Sequence, residues 1–278
     1  MMTNSQLFFT PHPALASVVN NIMIGRIVAN DKNYRSFQFP PLPEHSIIFF
    51  PFDVPRVEDV FTNQKRSLYP CTVTGPQTER NILSLGPDHL MVKIGFQPGA
   101  LHRLLGISMS EMLIYKDYDG ESIFGGGVKS ILEACANAKD FGRLKTIADD
   151  FMIGLLSTIR RPLSIDFVIP EILRSGGMAK IDSLVKSACM SNRQFERIFK
   201  DRMGVSAKFY SRLVRFTRAW LMKESSPHIT WTKVAYECNY FDQMHMIRDF
   251  KVFANANPKE IANAFEKHAF LAVKRIFY

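Results

Sequence analysis

The sequence predicts an α+β protein. A mostly antiparallel β domain with helices is expected over residues 1–162, and an all-α domain over 163–278. Three observations lead there. Short runs rich in Ile, Val and Phe, bounded by Pro, Gly, Asn and Asp, fill residues 18–97. From Pro98-Gly99 onward the apolar spacing changes to that of helices. The basic charge is concentrated beyond residue 165, in a segment that repeats itself.

The strand candidates are Val18–Val28, Tyr34–Phe39, Ser46–Phe52 and Leu90–Phe96. Short strands separated by turn signals fit a small sandwich or barrel. Pro40-Pro41-Leu42-Pro43 interrupts them, because proline has no amide donor for a ladder. Ala100–Leu105 and Ser108–Leu113 read as short helices, with Ser108 and Ser110 as N-cap candidates. Gly125-Gly126-Gly127 is a break. Val128–Ile159 carries one helical pattern through Ile131, Leu132, Cys135, Phe151, Leu155 and Leu156, ended by Pro162. The domain boundary falls near 160–166. Pro170 suits the first turn of the next helix, and Gly176-Gly177 supplies a left-handed stop.

Composition narrows the class. A chain of 278 residues fits about two domains. It has no run of about 18 apolar residues, so no membrane span is expected. Residues 1–11 lack the order of a signal peptide, and a cytoplasmic protein is expected. Cys71, Cys135, Cys189 and Cys238 are scattered, which suits reduced thiols rather than a disulfide framework or zinc site. His12, His45, His89 and His102 are isolated, and the glycine run lacks the Lys-Ser/Thr of a phosphate loop. No catalytic residue, metal or cofactor is expected.

Charge is unevenly divided. Residues 1–165 hold 16 Lys/Arg and 15 Asp/Glu, whereas 166–278 hold 19 and 11. A basic domain is the electrostatic footprint of a polyanion binder. At an offset of 51 residues, Ser191 aligns with Asp242, Phe195 with Met246, Arg197 with Arg248, Phe199 with Phe250 and Lys200 with Lys251. Gly204 aligns with Asn255, and Lys208 with Lys259. Ser191 and Asp242 are N-cap types, and Ser191-x-x-Gln194 is a capping-box pattern. The i, i+4 pairs Phe195/Phe199 and Met246/Phe250 bury one face and leave the arginines off it. Each capped helix follows a short amphipathic one: Ile181, Leu184, Val185 and Ala188, then Trp231, Val234, Ala235 and Cys238. Two short helices, a tight turn and polar groups on the second helix describe a helix-turn-helix, here in tandem. Ala207–Leu221 reads as a rigid connector with the apolar stripe Phe209, Leu213, Phe216 and Trp220.

These residues resemble the AraC/XylS family of transcription regulators. The first signature is Met190-Ser191-Asn192-Arg193-Gln194-Phe195-Glu196-Arg197-Ile198-Phe199-Lys200 followed by Gly204-Val205-Ser206. The second runs from Trp231 through Asn239-Tyr240-Phe241-Asp242 to Phe250-Lys251, then Asn257-Pro258. The N-terminal half more loosely resembles a sensor-like domain of one AraC-type subgroup, through Gly95-Phe96-Gln97-Pro98-Gly99-Ala100 and Leu104-Leu105-Gly106. Asn239, Asn255 and Cys189 stand where the family usually has Gly, and Met244 where a small or polar residue is common. Asn is the non-glycine residue that best tolerates φ > 0.

The resemblance implies a non-enzymatic, sequence-specific DNA-binding regulator, an activator responding to a small effector. It implies that the two capped helices enter neighbouring major grooves of double-stranded DNA. Asn192, Arg193, Glu196 and Arg197 then face base edges from the first helix, and Gln243, Met244, His245 and Arg248 from the second. Lys200, Lys208, Arg212, Arg215 and Lys251 are the phosphate candidates. RNA polymerase, a small-molecule effector and a second copy of the chain are candidate partners; a membrane is not. The alternatives are a DNA-repair or adaptive-response protein with the module as accessory, which needs a reactive cysteine, and a basic module for acidic surfaces.

Overall fold

A computed structural model describes residues 5–29 and 34–267. In chain order the elements are β1 (Ser5–Phe9), β2 (Val19–Val28), β3 (Arg35–Phe39), β4 (Ser46–Phe49), β5 (Arg56–Asp59), β6 (Lys65–Ser67), β7 (Cys71–Thr74), β8 (Asn81–Leu85) and β9 (Asp88–Phe96). Then come α1 (Ala100–Leu105), α2 (Met109–Tyr115), β10 (Asp117–Asp119), α3 (Gly120–Phe124), α4 (Gly127–Ala136) and α5 (Phe141–Leu155). The helical half contains α6 (Ser164–Arg174), α7 (Ile181–Ser187), α8 (Asn192–Met203), α9 (Ala207–Ser225), α10 (Trp231–Glu237), α11 (Gln243–Ala254) and α12 (Pro258–Lys267). The last stretch of the expected C-terminal domain, 268–278, lies outside the described residues. No helix among the described residues is long and apolar enough to cross a membrane.

The strands form two antiparallel sheets. One has six strands in the order β1-β2-β9-β4-β7-β10, the other four in the order β3-β8-β5-β6. Period-2 alternation explains why the larger sheet is covered on both faces. Val92 and Ile94 of β9, Ile47 and Phe49 of β4, and Cys71 and Val73 of β7 join a core with the helices, including Val128, Leu144, Ala148 and Met152. The alternate residues Met91 and Lys93, Ser46 and Ile48, and Thr72 and Thr74 face a cavity, which residues of the smaller sheet also line.

Several expectations needed correction. Val128–Ile159 is not one helix: α4 ends before Asn137, and Asp140 caps α5 by accepting from Arg143 N at 2.8 Å. An Asx cap inside an apolar pattern restarts the helix. Pro170 lies in the middle of α6 rather than in its first turn, so Asp166 O has no amide to accept from at that position. Ser108 is the N-cap residue of α2 by position, but its Oγ meets Ser110 Oγ at 2.8 Å instead of a helix amide. The stop after α6 is as read, with Gly176 at φ 64° and Gly177 at φ 82°.

The helical half has two cores sharing α9. Ala207, Tyr210 and Val214 face Ile165, Ile169, Leu184, Phe195 and Phe199. Leu213, Phe216 and Trp220 face Val234, Met246, Phe250 and Phe253. One 19-residue helix thus fixes the two units to each other.

Candidate nucleic-acid interface

Each unit is a short helix, a tight turn and a longer capped helix. In the first, α7 ends in a turn whose Cys189 has φ 53°, and Ser191 Oγ accepts from Gln194 N at 3.3 Å to start α8. In the second, α10 is followed by Asn239 at φ 52°, and Asp242 Oδ1 accepts from His245 N at 2.6 Å to start α11. The helices close alike, on left-handed Gly204 and Asn255, whose amides donate to Lys200 O and Lys251 O. The second turn is one residue longer than the first. The left-handed residues are 50 positions apart and the caps 51, and the added residue, Phe241, is 94% exposed.

The same burial sets both helix faces. Phe195, Phe199 and Met203 of α8 are buried, as are Met246, Phe250 and Phe253 of α11. Asn192, Arg193, Arg197 and Lys200 of α8 are exposed, with Glu196 half-buried. Gln243, Met244, Arg248 and Lys251 of α11 are exposed. His245 is half-buried, its ring set edge-on to Tyr240 at 5.6 Å. Eight of these ten side chains therefore project from the first two turns or the outer stripe of a capped helix, the geometry a groove-entering helix needs.

The phosphate candidates divide. Lys208 is exposed at the start of α9, on the same terms as Lys200 and Lys251. Arg212 instead donates to Asp249 Oδ1 through Nε at 3.1 Å and Nη2 at 2.7 Å, and lies over the Phe253 ring. Arg215 donates to Gly177 O at 3.1 Å and lies over Tyr240. Both guanidiniums brace α9 against its neighbours. Sequence reading missed Asp249: a carboxylate in a basic helix looks solvated until its partner, 37 residues away, is known.

The N-terminal half holds the far end of both capped helices. Arg80 N donates to Phe253 O at 2.9 Å and Arg80 Nε to Ala254 O at 2.8 Å, at the end of α11. At the end of α8, His102 Nε2 is 2.9 Å from Asp201 Oδ2, and Arg202 pairs with the buried Asp166. Burial and the nearby Arg202 hold the His102 imidazole below its usual range, opposed by Asp201. The Gly95–Ala100 motif makes this junction. Gly99, at φ 83°, comes so near the pair that an added Cβ would lie 3.2 Å from Asp166 Oδ1. Between these two contacts, the proline segment lies along α9. Tyr210 Oη donates to Pro43 O at 2.9 Å, and Thr217 Oγ1 lies 2.9 Å from Pro41 O.

The cysteines differ. Burial pushes the thiols of Cys71 and Cys135 up to about 12 and that of Cys238 up to about 11, so these three stay protonated at neutral pH. Cys189 is exposed. No group of three or more His, Cys, Asp or Glu with metal-site geometry occurs among the described residues.

Residues 184–264 match the model of a helix-turn-helix domain family. The protein therefore carries a tandem helix-turn-helix domain of the DNA-binding class. The match spans 81 of the 278 residues, from α7 to α12. No curated protein matches the sequence. Among solved structures, the chain is similar to ToxT from Vibrio cholerae O395 with a TM-score of 0.47 and 12% identity, over 88% of this chain and 97% of that one. A second ToxT structure, from Vibrio cholerae strain SCE256 and described as bound to an unsaturated fatty acid, gives 0.45 and 11%, over 94% and 97%. The AraC-like transcriptional activator CuxR gives 0.27 and 10%, over 83% and 70%.

Proposed function

We propose that this protein is a sequence-specific, DNA-binding transcription regulator in which residues 163–278 bind duplex DNA and residues 1–162 sense a small effector. One observation carries the DNA-binding reading. Two capped helices on one rigid connector bury matching anchors and expose Asn192, Arg193 and Arg197 on one, Gln243, Met244 and Arg248 on the other. Arg pairs bidentately with guanine, Asn and Gln with adenine, and Met touches the thymine methyl. Glu196 and His245, half-buried, complete the base-reading set from the rims of the two helices. Lys200, Lys208 and Lys251 are the phosphate contacts, which set register without reading sequence.

The sensing reading is supported by the inter-sheet cavity and by Arg80 and Asp201, where the N-terminal half meets the ends of both capped helices. In this reading the regulator acts as an activator. Selection of bound duplexes from a random-sequence pool tests the proposal. One enriched motif is expected, with Arg197→Ala and Arg248→Ala each relaxing it at separate positions. Transcription from a promoter bearing that motif then rises on adding protein. A pool that stays unenriched, or variants whose binding curves superpose on wild type, removes the base-reading assignment.

A further inference from the structure

The cavity between the two sheets has about 70 Å3 of space open to the centres of water-sized molecules, several times what one ordered water needs. Its wall is mainly apolar: Met23, Phe39, Ile48, Phe50, Leu83 and Met91. Four charged residues also line it, and they pair among themselves. Lys93 Nζ contacts Glu44, which also accepts from Asn21 Nδ2 at 2.7 Å. Arg66 donates to Asp117 Oδ2 through Nε at 2.9 Å and Nη2 at 2.6 Å. The Glu44–Lys93 pair is built in by Gly95, where a Cβ would lie 2.3 Å from Glu44 Oε1. A charged ligand would have to break one of these pairs or remain uncompensated in a poorly solvated site. A neutral one disturbs neither.

Among the polar groups of the wall, Asn81 stands apart. It is 3% exposed, and its Oδ1 is buried with no hydrogen-bond partner among the described residues. Its orientation is set by its neighbours. Asn81 Nδ2 donates to Glu79 O at 3.1 Å and to Gln77 Oε1 at 3.4 Å, and Gln77 Nε2 donates in turn to Thr74 Oγ1 at 2.5 Å. Turning the amide would set oxygen against two acceptors, so the unpartnered atom is the acceptor. Thr72, by contrast, is occupied, donating to Tyr69 O and accepting from Tyr69 N.

We infer that the inter-sheet cavity binds a neutral, mainly apolar small molecule bearing one hydroxyl or N–H group that donates a hydrogen bond to Asn81 Oδ1. This rests on the reading of the N-terminal half as a sensor and names the chemistry sensed. The position of the acceptor connects the site to the DNA-binding half. Asn81 lines the cavity, and the preceding residue, Arg80, holds the end of α11. On the same wall, Leu42 lines the cavity and also belongs to the core of Trp220, Met246 and Phe250. Its backbone pairs with Gln77 through reciprocal 2.9 Å hydrogen bonds.

Calorimetric titration of the full chain with matched probes tests this: indole against 1-methylindole, 1-octanol against methyl octyl ether, and indole-3-acetate as the charged member. Saturable binding is expected for indole or 1-octanol, about tenfold weaker for its methylated partner. In Asn81→Ala the two members of a pair should bind equally, with duplex retention at the wild-type level. Equal binding of the pair by wild-type protein, no binding by either donor-bearing probe, or tighter binding of indole-3-acetate would overturn the inference. Duplex retention, measured separately, reports on the regulator reading alone: its loss with the probe discrimination intact would count against DNA binding and leave the ligand chemistry standing.

Discussion

Arg80 caps the helix that ends at Ala254. Its amide donates to Phe253 O and its Nε to Ala254 O, so a loop residue just before β8 satisfies carbonyls that a helix end leaves without partners. Asn255 Nδ2 adds a contact in the other direction, to Val60 O at 3.3 Å. A guanidinium can donate in this way while also reaching Gln38 Oε1 at 2.8 Å; an ammonium lacks the planar fork.

Arg80→Met is accordingly expected to lower stability by about 1.5–3 kcal/mol, the range for hydrogen bonds from a charged donor. Arg80→Lys should recover less than half of the loss. Urea unfolding reads the stability. Amide exchange should show the loosening in the last turn of α11 and not in α8; equal change in both would mean the contact is not a local cap.

Reading faces as well as helices separates stability from binding. Phe199 is fully buried against Phe195 and Tyr210. Phe199→Ala should cost about 3–5 kcal/mol. Arg197→Ala and Arg248→Ala remove exposed side chains and should stay within about 0.5 kcal/mol of wild type, while each weakens binding to a selected duplex by about tenfold or more. Loss of stability in the arginine variants would place their side chains in packing instead.

The division between what was legible and what was not follows from range. The caps Ser191 and Asp242, the anchors Phe195, Phe199, Met246 and Phe250, and the stop at Gly176-Gly177 are set within a turn or two of chain, and all were readable. The strand runs through Val28, Phe39 and Phe96 were found because their apolar content is high. β1, β7 and β8 were not singled out, and the most polar strands, β5, β6 and β10, gave no signal. They are only 3–4 residues long and hold Arg56, Glu58, Lys65, Arg66 and Asp117, whose pairing partners are distant. The roles of Arg80, Arg212 and Asn81 were hidden for the same reason. Each depends on a group 37 or more residues away or on a cavity made by two sheets.

The turn at Cys189 carries strain that its counterpart relieves by residue type. Both Cys189 and Asn239 sit in the left-handed region, at φ 53° and 52°. Asn tolerates it through local hydrogen bonding, whereas a cysteine Cβ meets the following carbonyl. Cys189 is exposed, so replacing it removes no core contact. Cys189→Gly should raise stability by about 0.5–1 kcal/mol, net of the greater freedom of glycine in the unfolded chain, and Cys189→Val should lower it. A decrease for both in urea titration would refute the strain account.

Two buried histidines make the N-terminal half acid-sensitive. Burial lowers His45 to about 3, with His102 adding to the effect. Burial lowers His89 to about 4 although its Nδ1–H donates to Asp53 O and the Asp53 and Asp88 carboxylates oppose the shift; Arg26 reinforces it. Both folded values lie below the ordinary 6.5, so the unfolded chain binds more protons in acid. The stability from the neutral rings is full above the ordinary value and is lost as pH falls from there through the folded values. Each contributes a slope approaching about 1.4 kcal/mol per pH unit in that window. Urea midpoints from pH 7.5 to 5 should fall accordingly, and His89→Gln, which keeps an N–H for Asp53 O, should flatten the fall. An unchanged slope in that variant would remove His89 from the account.

Salt dependence distinguishes cations that meet phosphate from those that brace the fold. Lys200, Lys208 and Lys251 are exposed, whereas Arg212 and Arg215 are bound to Asp249 and Gly177. A cation that neutralises one phosphate releases counterions on binding, so removing it reduces the slope of log K against log salt by about one. Lys200→Ala, Lys208→Ala and Lys251→Ala should each do so while weakening all duplexes alike. Arg212→Ala should behave differently, because it leaves Asp249, 0% exposed, as a buried carboxylate without its cation. Breaking such a pair costs about 3–5 kcal/mol of stability when both partners are buried, and less here because Arg212 is partly exposed. A stable Arg212→Ala protein with a reduced salt slope would transfer that residue to the phosphate set and show that the Asp249 contact opens when DNA binds.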